Sequence, residues 1–356
     1  MFLTQLSLQN FRSYQKSDFD FGKETTFIIG PNTSGKTNLA ESIYFLSSGK
    51  SFRAEKDFQT INFGKDMTRV KGVVDGTNGE TDLEIVIAKG DFQGRATPLK
   101  KFFVNGVSKK RADFMGNFFA VLFSPVDLDL IIDSPSIRRR FLDDVLDQAD
   151  KDYRVSSILY EKGLRQRNAL IDRVRETGKR PEKEFEYWDN VLIKNGGIIT
   201  KKRDEFFEFL NTSVKDIFDF AAFYDKSVIS KERLKQYESI EIDAGSTLVG
   251  PHRDDFNIQM FDNKRQTTHD VKFFGSRGQQ RLVILQIKIL QLDFMEKKNQ
   301  SRPILILDDV FSELDSSHID LVTEMIGRQQ TIVTTTHKEF VSKEILKKAK
   351  VIELTR

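Results

Sequence analysis

The sequence contains no cysteine. That excludes disulfides, thiolate catalysis and Cys-ligated zinc, and makes a reducing cytoplasm the expected compartment. No apolar run approaches the ~18 residues that a spanning helix requires. The start, Met1 to Tyr14, alternates Leu with polar residues and carries no basic-then-apolar leader. Neither secretion nor membrane insertion is expected. A strong charge of one sign is missing too: 56 Lys+Arg against 53 Asp+Glu leave a formal +3. No overall field draws such a chain onto nucleic acid, so any binding of that kind must come from local patches. There is no internal repeat and no low-complexity tract. What is present suits a globular protein: 356 residues for about two domains, 38% hydrophobic content for a sizeable core, and 31 Phe mostly set among Leu, Ile and Val as core residues are.

The chain is organised around Phe27 to Asn38. Gly30, Pro31, Asn32, Thr33, Ser34, Gly35, Lys36 and Thr37 fit G-x-x-x-x-G-K-[ST], with an apolar β-type run before them and a helix-compatible segment, Leu39 to Leu46, after. Glycines let successive N–H groups converge on an anion, and the following helix adds its positive end to the same point. Lys36 is expected at the β- and γ-phosphates of a nucleoside triphosphate and Thr37 on Mg²⁺. Downstream, the apolar run Ile304 to Leu307 delivers Asp308 and Asp309. Asp308 is expected to hold Mg²⁺ through its water shell and Asp309 to stand near the attacking water. A strand followed by acidic cap residues, Asp309 to Ser312, is the structural alternative. The phosphate loop upstream favours the functional reading.

Ser276-Arg277-Gly278-Gln279 opens a helix-compatible run and has the form of a second anion cradle. One chain already has a cradle, so a second makes sense if it closes over a nucleotide held by another subunit. Ser312-Glu313-Leu314-Asp315 and Thr336-His337 complete the series. His337, after the strand Thr331 to Thr335, is expected to sense the γ-phosphate.

Between these motifs, β-type runs at Lys71 to Asp75, Leu83 to Ile87 and Phe102 to Val104, the last followed by Asn105-Gly106, predict a β-meander with a tight hairpin. Gly49-Lys50-Ser51-Phe52-Arg53 reads as a compact basic turn, in composition a solvated loop. From Ser124 the pattern becomes helical. Trp188, Leu192, Ile199, Phe206, Leu210, Val214 and Ile217 form one apolar stripe, and Val155 to Val174 offers an antiparallel partner across a Gly178–Pro181 break. Strand signals return near Thr247 and at Asp255 to Phe261. The expected fold is α/β: one discontinuous P-loop ATPase head with an antiparallel β portion and an inserted helical lobe. Residues 1–123 form the N-terminal part of the head, 124–245 the lobe, and 246–356 the C-terminal part of the head.

The order of these motifs resembles the ABC-type ATPase heads of the SMC group, and within it the RecF family of bacterial recombination and repair proteins. The resemblance runs from end to end. It is carried by Leu8 to Tyr14, Gly30-Pro31-Asn32 with Gly35-Lys36-Thr37-Asn38, Gly49 to Arg53, Phe123-Ser124-Pro125 through Leu130, Arg138 to Asp143, Val249-Gly250-Pro251-His252-Arg253-Asp254-Asp255, and Gly275 to Arg281. It implies a cytoplasmic, ATP-binding, DNA-binding protein of replication and recombinational repair that works with RecO and RecR. It also implies ATP-dependent homodimerisation, in which Ser276, Arg277, Gly278 and Gln279 of one copy close on the nucleotide at Lys36 of the other. Arg12 and Asn38 join the nucleotide contacts. Arg53 and Arg253 stand in matching motifs with no role assigned. Transporter heads have Glu after the metal Asp, whereas Asp309 is one methylene shorter, which favours slow turnover and a switch role. DNA phosphates need only Lys or Arg on a common face, and Lys109, Lys110, Arg111, Arg138, Arg139, Lys201, Lys202 and Arg203 are candidates for sequence-independent binding. A transporter-type ATPase subunit and a small-molecule phosphotransferase are the alternatives.

Overall fold

The computed structural model describes every residue except 77–78, 93–94, 97–98, 263–266, 313–321, 323–325, 337–348 and 356, and omits the side chains of 91–92, 95–96, 262 and 312. By its contacts the chain divides into two compact units, Met1–Asp127 with Gln291–Arg356, and Leu128–Leu290.

The first unit begins with β1 (Phe2–Phe11), β2 (Tyr14–Asp20), β3 (Thr25–Ile29) and α1 (Lys36–Ser48). There follow β4 (Met67–Gly76), β5 (Gly79–Ala88), the two-residue strands β6 (Asp91–Phe92) and β7 (Arg95–Ala96), β8 (Leu99–Val104), β9 (Val107–Lys109), α2 (Arg111–Phe114) and β10 (Ala120–Phe123). Six strands form an antiparallel sheet in the order β2-β1-β4-β5-β8-β9. The hairpin predicted at Asn105-Gly106 is present, with φ of 50° and 74° at its two turn residues, the positive values a type I′ turn requires. Alternation in β1 is broken by a register shift between Leu3 and Gln5. A bulge of this kind resets the phase of the strand, and Leu3 and Leu6 both point into the core despite their odd spacing.

A second sheet is parallel throughout, in the order β10-β14-β15-β3-β16, where β14 is Ile304–Asp308, β15 Thr331–Thr335 and β16 Lys350–Glu353. Its strands β3, β10, β14 and β15 are buried along their whole length, which is why their sequences are continuous apolar or Thr runs. Helix α1 touches strands of both sheets. Leu39, Ala40, Ile43, Phe45 and Leu46 join Leu3, Leu6, Leu83, Ile85, Ile304 and Ile332 in one core. Buried on nearly every side, α1 carries little amphipathic signal of its own.

The second unit comprises α3 (Asp129–Ile132), α4 (Pro135–Ala149), α5 (Lys151–Thr177), α6 (Glu182–Thr212), β11 (Phe220–Asp225), α7 (Lys231–Gln236), α8 (Glu238–Ala244), β12 (Asp255–Asp262), β13 (Thr267–Asp270) and α9 (Val271–Phe274). Helix α10 (Arg277–Asn299) starts in this unit and ends in the first. Asp150 caps α5 by accepting from the Tyr153 N–H, and Gly178 in the left-handed region ends it. The expected apolar stripe packs through Leu192, Ile199, Phe206 and Leu210. It stops sooner than the sequence suggested: α6 ends at Thr212, Val214 is exposed, and the N–H of Ile217 donates to Gln286 Oε1 at 2.8 Å. No strand forms at Thr247. Its N–H and hydroxyl instead donate to Asn168 Oδ1 at 2.9 and 2.7 Å, fixing a turn. The unit extends to Leu290, past residue 245, because β12 pairs with β11.

Gly250 to Asp255 forms the polar hub of this unit. Gly250 has φ 125°, and a Cβ there would lie 2.2 Å from Tyr160 Oη, so only glycine fits. His252 Nε2 lies 2.9 Å from the Thr247 carbonyl and Nδ1 lies 2.8 Å from Tyr160 Oη. A carbonyl only accepts, so the proton is on Nε2 and the tyrosine hydroxyl donates to Nδ1. Arg203 donates to Tyr153 Oη at 3.1 Å, the Pro251 carbonyl at 2.8 Å, Asp254 at 2.7 Å and Asp143 at 2.8 Å. Arg138 forks onto both oxygens of Asp255 at 2.6 and 3.0 Å.

Candidate nucleotide site

Parallel strands present their C-terminal ends on one edge of the sheet, where ligands bind in open α/β folds. There β3 runs into the phosphate loop, and β14, with β15 between it and β3, ends at Asp308. Register places Asp308 beside Thr334 and Thr334 beside Ile28. The loop turns through Thr33 at φ 71° and Gly35 at φ 98°, and Gly35 is the N-cap of α1. Tyr14 Oη donates to the Gly35 carbonyl at 3.1 Å, bracing the loop from the β1–β2 hairpin.

Lys36 Nζ donates to the Gly30 and Pro31 carbonyls at 2.8 and 3.0 Å, so the ammonium is held at the mouth of its own loop. Burial lowers its pKa, opposed by Asp309 and Asp308. Thr334 Oγ1 donates to Asp308 Oδ1 at 2.8 Å, and the Thr37 hydroxyl lies near enough to lower the same carboxyl. Burial raises the Asp308 carboxyl, these hydroxyls oppose it, and Asp309 adds to the rise. The Ser34 hydroxyl oxygen is buried and has no hydrogen-bond partner, the condition of a polar group that awaits a ligand. Asp309 sits at φ 54°, its N–H directed at the Thr334 carbonyl and hydroxyl.

Among the described residues, six non-glycine positions have positive φ. Three of them, Arg12, Thr33 and Asp309, belong to this region. Strain of that kind persists where surrounding structure over-determines it, and it concentrates at functional sites. No cluster of three or more metal-ligating His, Cys, Asp or Glu occurs among the described residues. A hydroxyl and a single carboxylate are nonetheless hard oxygen donors of the kind Mg²⁺ takes when phosphate oxygens and water complete its shell. The donor set of Thr37 and Asp308 fits that ion.

Glu41 carries no motif signal, and Ser51 stands in the Gly49–Arg53 turn whose composition reads as a solvated loop. Glu41 on α1 has a fully buried side chain, and Arg12 forks onto it with Nη2–Oε1 at 2.6 Å and Nε–Oε2 at 3.0 Å. Ser51, also buried, donates its hydroxyl to Glu41. The Gly49–Arg53 turn is therefore not a solvated loop. Arg53 Nη1 donates to Asn38 Oδ1 at 3.0 Å, and Arg53 lowers the Asp308 carboxyl electrostatically. A helix position such as Glu41 reads in sequence as an ordinary polar face, and only the sheets on either side reveal it as buried.

Ser276 to Gln279 belong to the second unit. The Ser276 N–H donates to Gln279 Oε1 at 2.9 Å and the Gln279 N–H to Ser276 Oγ at 3.3 Å, a reciprocal capping box at the start of α10. Ser276 and Arg277 are exposed and Gly278 is half-buried. His337 and residues 313–315 lie outside the described residues.

Burial sorts the basic candidates. Lys109, Lys110 and Lys201 are exposed, and Arg111 is half-buried. Lys202 pairs with Asp150 at 2.8 Å, and Arg139 donates to the Asp254 carbonyl at 2.9 Å. Arg203 and Arg138, expected from the sequence as DNA contacts, are instead buried and committed to carboxylates of the second unit, so neither guanidinium is available to a phosphate.

A phosphate loop on β3, a carboxylate on β14 and an antiparallel sheet on the far side of α1 make the first unit an ABC-type P-loop ATPase head. Comparison with known proteins narrows that class. The family described as RecF/RecN/SMC N terminal domain matches residues 2–355. DNA replication and repair protein RecF of Bacillus mycoides (strain KBAB4) is 35% identical over 379 aligned positions, covering 100% of this chain and 97% of that protein. RecF of Bacillus anthracis (strain A0248) matches at the same identity and coverage. A solved structure described as the recombination mediator protein RecF-ATP in the RecFOR pathway has TM-score 0.83 at 30% identity, covering 96% of this chain and 93% of that one. An Smc head at 17% identity and TM-score 0.50 shares the fold alone. The chain belongs to the RecF family of DNA replication and repair proteins.

Proposed function

We propose that this chain is an ATP-dependent DNA-binding protein of replication and recombinational repair, a cytoplasmic switch in which ATP joins two copies and slow hydrolysis releases them. The observation that carries the reading is the arrangement of the loop that follows β3, its Lys36 bonded across the Gly30 and Pro31 carbonyls, with the Asp308 carboxylate at the end of β14 one strand away. Relatives described as ATP-bound RecF support ATP as the nucleotide.

In this reading the loop N–H groups and the Ser34 hydroxyl bind phosphate oxygens, and Lys36 leaves the Gly30 and Pro31 carbonyls for the β- and γ-phosphates. Thr37 and Asp308 would hold Mg²⁺, which when bound would supply charge neutralisation to the phosphates. Asp309, its backbone fixed by Thr334, orients water, and His337 senses the γ-phosphate. Ser276, Arg277, Gly278 and Gln279 of the second copy close the site, their capping hydrogen bonds exchanged for phosphate contacts. Lys109, Lys110 and Arg111 in the first unit, and Arg139, Lys201 and Lys202 in the second, supply phosphate contacts to DNA without reading sequence. RecR and RecO type proteins are the partners, in keeping with relatives described as belonging to the RecFOR pathway.

Titration of duplex, single-stranded and gapped DNA, with and without ATP and at two salt concentrations, tests this. Binding that needs ATP and weakens with salt is expected. Tight ATP-independent binding, or none, contradicts the switch.

A further inference from the structure

We propose that Glu41 is a positioning residue of the nucleotide site: one buried carboxylate that holds two guanidiniums, Arg12 and Arg53, in a fixed arrangement beside the phosphate loop. This rests on the ATP reading above and says which residue sets the basic side of that site before nucleotide arrives.

Glu41 lies on α1, one turn beyond Thr37, with its side chain fully buried. A buried carboxylate loses its hydration, and a hydrophobic residue of similar volume is often as good or better for stability at such a place. The charge therefore calls for a role beyond packing, and its partners supply one. Oε1 accepts from Arg12 Nη2 at 2.6 Å and Nε at 3.2 Å, and Oε2 accepts from Nε at 3.0 Å. This two-toothed arrangement fixes the plane of the guanidinium as well as its place. Arg12 Nη1 is held by the Gln59 carbonyl at 2.8 Å. Ser51 donates its hydroxyl to Glu41 and accepts the N–H of Arg53 and Ala54 at 3.0 and 2.7 Å, so the carboxylate also sets the turn that carries Arg53. Arg53 Nη1 stands 3.7 Å from Glu41 Oε2 and donates to Asn38, whose amide donates to Ser13 Oγ at 2.9 Å.

Three separated sequence segments, Arg12–Ser13, α1 and Ser51–Arg53, thus converge on one side chain. Two cations on one anion leave an excess positive charge. The Arg53 side chain, 47% exposed, carries it next to the loop and close enough to lower the Asp308 carboxyl. Without the Glu41 charge the guanidiniums repel each other and Arg12 loses its fork. Oriented donors that need no rearrangement when charge arrives are the form of preorganisation that strengthens anion binding.

A double-mutant cycle on the full chain tests this, read as the affinity of a fluorescent non-hydrolysable ATP analogue with Mg²⁺, alongside thermal unfolding without nucleotide. Glu41→Gln and Arg12→Ala are each expected to weaken binding about tenfold, the loss of one charge-assisted hydrogen-bonded contact. The double variant is expected to fall within about twofold of the weaker single one, because both remove the same arrangement. A merely structural Glu41 would lower the unfolding temperature yet shift affinity by the same factor whether Arg or Ala stands at position 12. Multiplying losses, or wild-type affinity in Glu41→Gln, overturns the proposal. If Glu41→Gln does not fold, Ser51→Ala in a cycle with Arg53→Ala gives the same reading: coupled losses sustain it and independent ones overturn it. Lys36→Ala is the control. A wild type that binds no analogue overturns the ATP reading and this inference together, whereas loss in Lys36→Ala with no effect of Glu41→Gln overturns this inference alone.

Discussion

Both units build an arginine onto buried carboxylates, and the two arrangements differ in what they leave unfinished. In the second unit Arg203 is 3% exposed and divides its donors among Tyr153, Pro251, Asp254 and Asp143. In the head, a buried Ser34 hydroxyl lacks a partner, Lys36 bonds its own loop, and Thr33 and Asp309 sit in the left-handed region. A satisfied polar hub specifies a shape. An unsatisfied one, held in strain by its surroundings, is built for a ligand. The Gly-Pro-His-Arg-Asp-Asp motif and the phosphate loop are equally conspicuous in sequence, and this contrast separates a structural signature from a binding one.

Variants that cross the two regions put the contrast at risk. Arg203→Ala should do the most damage to folding, about 3–5 kcal/mol, because it leaves the fully buried Asp254 and the half-buried Asp143 without their cation. Denaturant unfolding would measure it. Lys36→Ala should do the reverse, weakening ATP binding by on the order of 100-fold with little change in unfolding. If both variants moved both observables alike, the division between hub and site would fail.

Acid should act on the hub through His252. Burial pushes its pKa down to about 4 from 6.5, so the unfolded chain takes up the proton first. The stability tied to the neutral ring is whole above about pH 6.5 and is lost as pH falls from there toward 4, by up to ~3 kcal/mol. Thermal unfolding at pH 7.5 and pH 5 measures the loss, and His252→Asn should flatten it. Asp308→Asn should affect folding less than either hub variant and in the opposite sense. Relieving a carboxylate whose ionisation burial opposes should raise the stability of the nucleotide-free protein by about 1 kcal/mol while abolishing Mg²⁺-dependent hydrolysis. A destabilised Asp308→Asn would mean that Asp308 belongs with the hub.

The same contrast explains what was legible in the sequence. The phosphate loop, the Asp308–Asp309 pair and the Asn105-Gly106 hairpin were readable because local chemistry dictates them: glycine conformations, a buried parallel strand, a type I′ turn. Glu41 and Ser51 were not, since their meaning comes from sheets formed by residues far away in the chain. Arg138 and Arg203 looked like surface charge for the same reason, their carboxylates lying 117 and 51 positions further on. The bulge in β1 and the early end of α6 depend on neighbours that periodicity does not see.

Light scattering with and without ATP tests the central claim most directly, namely that this nucleotide site is completed by a second copy. At micromolar concentration the wild type is expected to be monomeric alone and dimeric with ATP, and Lys36→Ala and Ser276→Arg to remain monomeric. A wild type that stays monomeric with saturating ATP, or a Ser276→Arg variant that dimerises like the wild type, would contradict it.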